Sequence, residues 1–326
     1  MKSKETVRNG FQTVCRKEMH MIRYAVIGAG QRARQFPDQA ALCGGLGLTM
    51  IFTGQEGNAS TLAAGQASSL RELELSPDVD GVYIAGEDCL QFEYAFCMLS
   101  AGKHVLCGQP GALTAEELGI LIETAEQRHV SFMASLPSLA HPGFLTLQEN
   151  IRRVGSVRHV RLSCCRPSPA HAHKALMDQG MCCICPLASL FGMPDTITAE
   201  PILPEDSMEK DGAGGGLEAS GIILARYRDM DAAILYSGVS GNRLPGKIQG
   251  DEGSLVIKDI CNPREILFCG RSGSKERLDA GDAHSPLLFE INEWVSQMLG
   301  KKDWRPHMQD FLMSLQMMEA IRQQAS

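Results

Sequence analysis

Two groups of residues in this 326-residue chain have types and spacing suited to chemistry. The first is the turn Gly28-Ala29-Gly30-Gln31-Arg32-Ala33, which follows the apolar run from Met21 to Ile27. In a turn of this pattern the first glycine permits a tight bend and the second lets a pyrophosphate approach the backbone. The small sixth residue then lets a helix pack on the strand before it. The helix that starts here offers unpaired N–H groups to a phosphate. Gly28, Ala29, Gly30, Gln31 and Arg32 are therefore candidate dinucleotide contacts. Such turns are usually matched by a carboxylate at the end of the second strand, which binds the adenosine ribose. Here that strand ends Ile51-Phe52-Thr53-Gly54-Gln55, with no acid in place. A 2′-phosphate would meet no repulsion there, and the Thr53 hydroxyl with Arg32 has the chemistry to bind one, so NAD and NADP are both admitted.

The second group is thiols. The chain has twelve cysteines, with clusters at Cys164-Cys165 and at Cys182, Cys183 and Cys185. A structural zinc site usually shows two matching pairs of cysteines two to four residues apart, and neither cluster has that layout. No export signal precedes them, which disfavours disulfides. Cysteine is among the most often buried residue types, so these read as buried thiols. A metal site in the Cys/His cluster between Cys164 and Cys185 is the lesser alternative.

The elements that position these residues follow from length and periodicity. The chain is about twice the ~150 residues of a typical domain, so two domains are expected. It is 44% hydrophobic and 21% charged with a net charge of −7, enough apolar material for sizeable cores. That acidic balance excludes nucleic acid or an anionic membrane surface as the main partner. No apolar run approaches the ~18 residues of a membrane span, and residues 1–20 are polar. The chain is thus expected in the cytoplasm, with 1–20 either an extension or a stretch ahead of a true start at Met21. From residue 21 to 139, strand-like runs alternate with helix-length stretches, the layout of a doubly wound parallel sheet. The runs are 23–27, 47–52, 81–85, 103–106 and 130–134. Thr114-Ala115-Glu116-Glu117 has the form of a capping box. From 140 to 326 the runs 157–164, 221–227, 232–239 and 246–250 follow one another with few helices, which predicts a largely antiparallel sheet with one open face. A helix over 175–191 is expected to cross between the halves. A flexible glycine-rich loop is expected at 211–216, then amphipathic helices over 286–299 and 307–324, the last free to pack back on the first domain.

The segment Pro77-Asp78-Val79-Asp80-Gly81-Val82-Tyr83-Ile84-Ala85, the helix from Gln91 to Gly102, and Gly102-Lys103-His104-Val105-Leu106-Cys107-Gly108-Gln109-Pro110 closely resemble the Gfo/Idh/MocA oxidoreductase family. That family is named after glucose-fructose oxidoreductase and inositol dehydrogenase. The resemblance continues in Asp178-Gln179-Gly180-Met181-Cys182-Cys183-Ile184 and in 248–255, and covers nearly everything from Ile22 onward. It implies an N-terminal Rossmann domain binding NAD or NADP, bordered by Ala85, Gly86, Gln109 and Pro110. It also implies a C-terminal α/β domain whose open sheet carries a sugar- or polyol-like substrate on one side and commonly an oligomer contact, giving a homodimer or homotetramer.

The chain also departs from the family pattern. Relatives usually have Glu-Lys-Pro where this chain has Gly108-Gln109-Pro110, and the lysine of that motif lies by the nicotinamide. They tend to carry Tyr or His four residues after the motif aspartate, where this chain has Cys182. Reducing a carbonyl with hydride needs a proton donor of suitable pKa, and both usual groups are gone. The Thr-Pro-Asn after the fourth strand is changed to Gly86-Glu87-Asp88. Substitutes are at hand in Lys174, which stands where many relatives have glycine, and in His173 and His141, whose imidazoles titrate near neutral pH. Asp178 fits an orienting carboxylate, and equally an ordinary helix cap. His171 and His173 fit an exposed loop as well. The candidate catalytic set is Lys174, Asp178, His141, Gln109 and Cys182. The sequence admits two readings: an NAD(P)-dependent oxidoreductase acting on a sugar, polyol or related hydroxy/keto compound, and a catalytically silent member that binds dinucleotide as a sensor or partner subunit.

Overall fold

The computed structural model describes residues 21–54, 64–85, 90–108, 113–167, 175–202, 219–241, 244–281 and 284–325. The chain divides into two compact units, one running to Ser135 and resuming at Glu290–Trp304, the other comprising Leu136–Phe289 and Arg305–Ser326. The expected extension at 1–20 and the glycine-rich loop at 211–216 lie outside the described residues.

The first unit alternates strand and helix: β1 (Ile22–Ile27), α1 (Gln31–Cys43), β2 (Leu46–Phe52), β3 (Gly65–Gln66), α2 (Leu70–Leu75), β4 (Gly81–Ile84), α3 (Gln91–Ser100), β5 (His104–Cys107), α4 (Ala115–Arg128) and β6 (Phe132–Ala134). The sheet is parallel throughout, in the order β3-β2-β1-β4-β5-β6. Strands β1 and β4 are buried along almost their whole length, as both faces of a parallel sheet require. The capping box of α4 is present: the Thr114 hydroxyl accepts the Glu117 N–H, and the Glu117 carboxylate accepts the Thr114 N–H at 2.8 Å. Phe36 of α1 stacks on Tyr83 of β4 with ring centroids 3.8 Å apart. The fully buried Trp294 lies on the start of β4, where a Cβ on Gly81 would come within 2.8 Å of its ring. A glycine is needed at that close approach.

In the second unit, α5 (Pro137–Ala140), α6 (Pro142–Asn150) and a 3₁₀ turn (Ile151–Val154) lead into β7 (Val157–Cys165). The helix expected over 175–191 begins instead as a π-turn (Leu176–Gly180), in which the Met181 N–H bonds the Leu176 carbonyl, and continues as α7 (Met181–Phe191). It lies wholly within the second unit and does not cross between the two. There follow β8 (Thr196–Pro201), β9 (Ser220–Arg226), β10 (Asp231–Ser237), β11 (Gly246–Gly250), β12 (Gly253–Ile257), β13 (Ile266–Gly270) and β14 (Lys275–Leu278). They form one sheet in the order β14-β13-β12-β11-β7-β10-β9-β8. Among the described strands of this second sheet, only the β7–β10 pairing is parallel. Alternation marks two faces: Ile223 and Ala225 of β9 are buried, while Ile222 and Leu224 between them are 39% and 48% exposed. Helices α8 (Pro286–Met298) and α9 (Arg305–Ala325) complete the chain, α9 packing on α7 and β8. No helix among the described residues is long and apolar enough to cross a membrane.

Candidate functional site

The carboxyl ends of β1, β2 and β4 meet at one edge of the first sheet, because Ile27 pairs with both Phe52 and Ile84. The strand order reverses between β1 and β4, and open α/β sheets bind ligands in the crevice at such a switch point. Gly28, Thr53 and Ala85 each follow one of these strands, so the fold gathers the candidate dinucleotide contacts there. The backbone ties them: the Gly28 N–H donates to the Phe52 carbonyl at 2.8 Å, and the Ala85 N–H to the Ile27 carbonyl at 2.8 Å.

The turn itself has the conformation the motif requires. Gly28 and Gly30 have φ of 119° and 89°, in the region open to glycine. Among the described residues, a Cβ on Gly30 would touch nothing within 4 Å, which leaves space against the backbone where a pyrophosphate approaches. Helix α1 starts with no side-chain cap and no acid in its first turn. Its first-turn N–H groups and the positive end of its dipole are thus left for an anion. Ala33 is buried against the sheet, while Ala29, Gln31 and Arg32 are exposed around the turn. Donor set, dipole and clearance all fit a dinucleotide pyrophosphate. Gly86, Gln109 and Pro110 lie outside the described residues. The strand leading to Gln109 is nevertheless fixed: the buried Gln91 side chain donates to the Gly108 carbonyl at 2.9 Å, and a Cβ on Gly108 would come within 2.5 Å of the Tyr83 hydroxyl.

The second unit places the remaining candidates apart in role. Asp178 is half-buried in the π-turn, and its backbone carbonyl accepts the Cys182 thiol at 3.0 Å. Lys174, His171 and His173 lie outside the described residues. His141, expected as a proton donor, is corrected to a structural cap: it is 0% exposed, and its Nδ1 accepts the Gly143 N–H at 2.9 Å at the start of α6. Its ring packs edge-on against Phe289, with centroids 5.0 Å apart. Burial, aided by the Arg264 charge, pushes its pKa down to about 4, so the imidazole is neutral at pH 7 and closed to solvent.

The thiols of Cys164, Cys165, Cys183 and Cys185 are buried, and Cys182 is half-buried. Cys164 and Cys182 converge with Cys261, which follows β12 and which the sequence clusters do not contain. Arg166 and Asp259 flank them, the carboxylate accepting from the guanidinium at 3.4 Å. Gln179 accepts the Arg166 N–H and donates to the Arg166 carbonyl, which pins the π-turn to the end of β7.

A family model described as an oxidoreductase family with an NAD-binding Rossmann fold matches residues 22–136. The chain is 28% identical over 297 residues to scyllo-inositol 2-dehydrogenase (NADP(+)) IolU of Bacillus subtilis (strain 168), covering 85% of this chain and 88% of that protein. Among solved structures it resembles UDP-N-acetylglucosamine 3-dehydrogenase GnnA of Acidithiobacillus ferrooxidans, with TM-score 0.77 and 20% identity, covering 94% and 99% of the two chains. It also resembles the biliverdin reductase of Synechocystis sp. PCC 6803 solved with biliverdin and NADP+, with TM-score 0.73 and 18% identity, covering 93% and 98%.

Proposed function

Because the chain belongs to the Gfo/Idh/MocA family of oxidoreductases, we propose that it moves a hydride between a nicotinamide dinucleotide and a sugar, polyol or related hydroxy/keto compound. The observation that carries this reading is the uncapped first turn of α1 behind Gly28 and Gly30, at the switch point of the sheet.

When bound, the dinucleotide supplies or takes the hydride. The chain's own residues do the rest. The N–H groups after Gly30 hold the pyrophosphate. The exposed Arg32 and the Thr53 hydroxyl favour a 2′-phosphate, and we assign NADP(H) as the preferred form. The name of the Bacillus subtilis relative, which carries NADP(+), supports that choice. Proton exchange with the substrate oxygen falls to Lys174, with Asp178 as the orienting carboxylate; His141 drops out because it is buried and neutral. A second copy of the chain is assigned to the sheet face that bears the exposed Ile222 and Leu224.

The changed positions Gln109 and Cys182 favour a second reading, in which the chain binds dinucleotide without turnover. Assay of NADPH oxidation and NADP+ reduction against a panel of sugars, polyols and their keto forms separates the two. Turnover that falls about 10²–10⁴-fold in Lys174→Ala, with unchanged cofactor affinity, supports the catalytic reading. Tight cofactor binding with no turnover on any member of the panel supports the silent one.

A further inference from the structure

Three cysteine sulfurs, brought together from the end of β7, the first turn of α7 and the loop after β12, lie within 4.8 Å of one another. Cys164 and Cys261 are 3.2 Å apart at Sγ and only 4% and 7% exposed, while Cys182 is half-buried. We propose that Cys164, Cys182 and Cys261 form a three-thiolate site for a soft divalent cation of the zinc class.

The geometry is close to what such an ion requires. Zn–S bonds of about 2.3 Å at tetrahedral angles place sulfurs about 3.8 Å apart, so the three close on an ion with shifts of about 1 Å or less. Three ligands from the chain leave a fourth position for water or an outside ligand, as in zinc sites that are not fully closed by protein.

Charge selects the ion. The set is neutral as three thiols, and the Cys164 and Cys261 thiols are held protonated well above the usual range. For Cys164 the hydrogen bond with Cys182 is the main cause, with burial adding to it; for Cys261 the bonds with Cys164 and Cys182 come first. Three thiolates alone would bury three negative charges, which the interior does not tolerate. Binding a divalent ion releases three protons to solvent, M²⁺ + 3 RSH giving [M(SR)₃]⁻ + 3 H⁺. The single remaining negative charge lies beside the Arg166–Asp259 ion pair and shares the guanidinium with that carboxylate. A monovalent ion would add one more negative charge around that one cation. The surroundings are already braced: Asp259 accepts the Cys261 N–H at 2.9 Å and the Arg166 guanidinium at 3.4 Å. Outer hydrogen bonds of this kind orient metal ligands.

The test uses the untagged full-length protein, reduced, stripped with chelator and kept without oxygen. It is titrated with Co²⁺ and then with Zn²⁺. The expected result is one Co²⁺ per chain with a thiolate-to-cobalt charge-transfer band, displaced by Zn²⁺, with release of up to three protons per ion. Cys182→Ser, at the half-buried position, abolishes the band, Cys269→Ser on β13 leaves it intact, and Arg166→Gln weakens affinity about 10–100-fold. Since Cys164→Ser or Cys261→Ser could unfold the chain, a second readout uses the unaltered protein. Alkylation followed by peptide mapping should show Cys164, Cys182 and Cys261 protected together by Zn²⁺, and Cys269 not. Absence of stoichiometric Co²⁺ and Zn²⁺ binding by the folded protein overturns the proposal, leaving three buried thiols. So does binding that survives Cys182→Ser or leaves the three thiols unprotected.

Discussion

The side-chain amide of Gln179 pairs with both backbone polar groups of Arg166, accepting its N–H at 3.0 Å and donating to its carbonyl at 2.7 Å. One buried side chain thereby acts as an added strand residue at the end of β7 and fixes the π-turn that carries Asp178. Turns with this wider register recur at functional sites. Replacing Gln179 by Leu takes the amide donor from the Arg166 carbonyl, while the Arg166 N–H keeps its bond to the Ser237 carbonyl at 2.9 Å. The expected loss is about 0.5–1.5 kcal/mol for the lost bond, read as a lower urea midpoint at unchanged m-value.

Gly30 separates a binding role from a folding role. A Cβ there meets no atom of the described residues within 4 Å, so the cost of Gly30→Val to folding is set by backbone strain. Its φ of +89° and ψ of −165° lie in a region essentially confined to glycine, and a side chain there costs about 1–3 kcal/mol. Cofactor affinity should fall at least tenfold beyond that, because the side chain fills the space used by the pyrophosphate. Isothermal titration of the folded variant checks this, and unchanged affinity would remove Gly30 from the site.

The proposed preference for NADP(H) gives Thr53 the 2′-phosphate as its partner. Thr53→Asp puts a carboxylate where many dinucleotide domains bind the ribose hydroxyls. Two like charges about 4 Å apart near a surface interact by about 1–4 kcal/mol, so the NADPH-to-NADH affinity ratio should drop by roughly tenfold or more. Arg32→Ala should lower the same ratio with little effect on NADH. Competitive titration with the two cofactors measures both.

His141 predicts an acid limb in stability. Its folded pKa of about 4 lies below the ~6.5 of an unfolded histidine, so between the two the unfolded chain binds the extra proton. The contribution of the neutral ring is complete above about pH 6.5, falls with decreasing pH, and is lost as pH passes through about 4. The full effect is about 3 kcal/mol. His141→Asn keeps an acceptor for the Gly143 N–H and cannot titrate, so its stability should be flatter over that range in urea melts at stepped pH.

The first unit was largely legible because its signals are local. The turn after Ile27 declares itself through two glycines and a small residue within six positions, and the Thr114 capping box is complete within four. Sequence-based strand limits there fall close to those observed. In the second unit the informative relations are long-range. Cys261 joins Cys164 across 97 residues only because β12 and β7 flank β11 in one sheet. The neutral state of His141 depends on Phe289 and Arg264, far along the chain. The π-turn reads as plain helix because its register is set by the pairing with Arg166, not by any residue preference. Strand β14 escaped notice because it is short and carries exposed charged residues such as Lys275 and Glu276, and β13 because its five residues, Ile266–Gly270, include no polar alternation.

The central claim is that Gly28–Gly30 and α1 bind a nicotinamide dinucleotide at the switch point of the first sheet. Equilibrium titration of the full-length protein with NADPH and NADH, followed by nicotinamide fluorescence, tests it most directly. The account predicts saturable binding of one cofactor per chain, tighter for NADPH and weakened at least tenfold in Gly30→Val. No saturable binding of either cofactor up to millimolar concentration would contradict it.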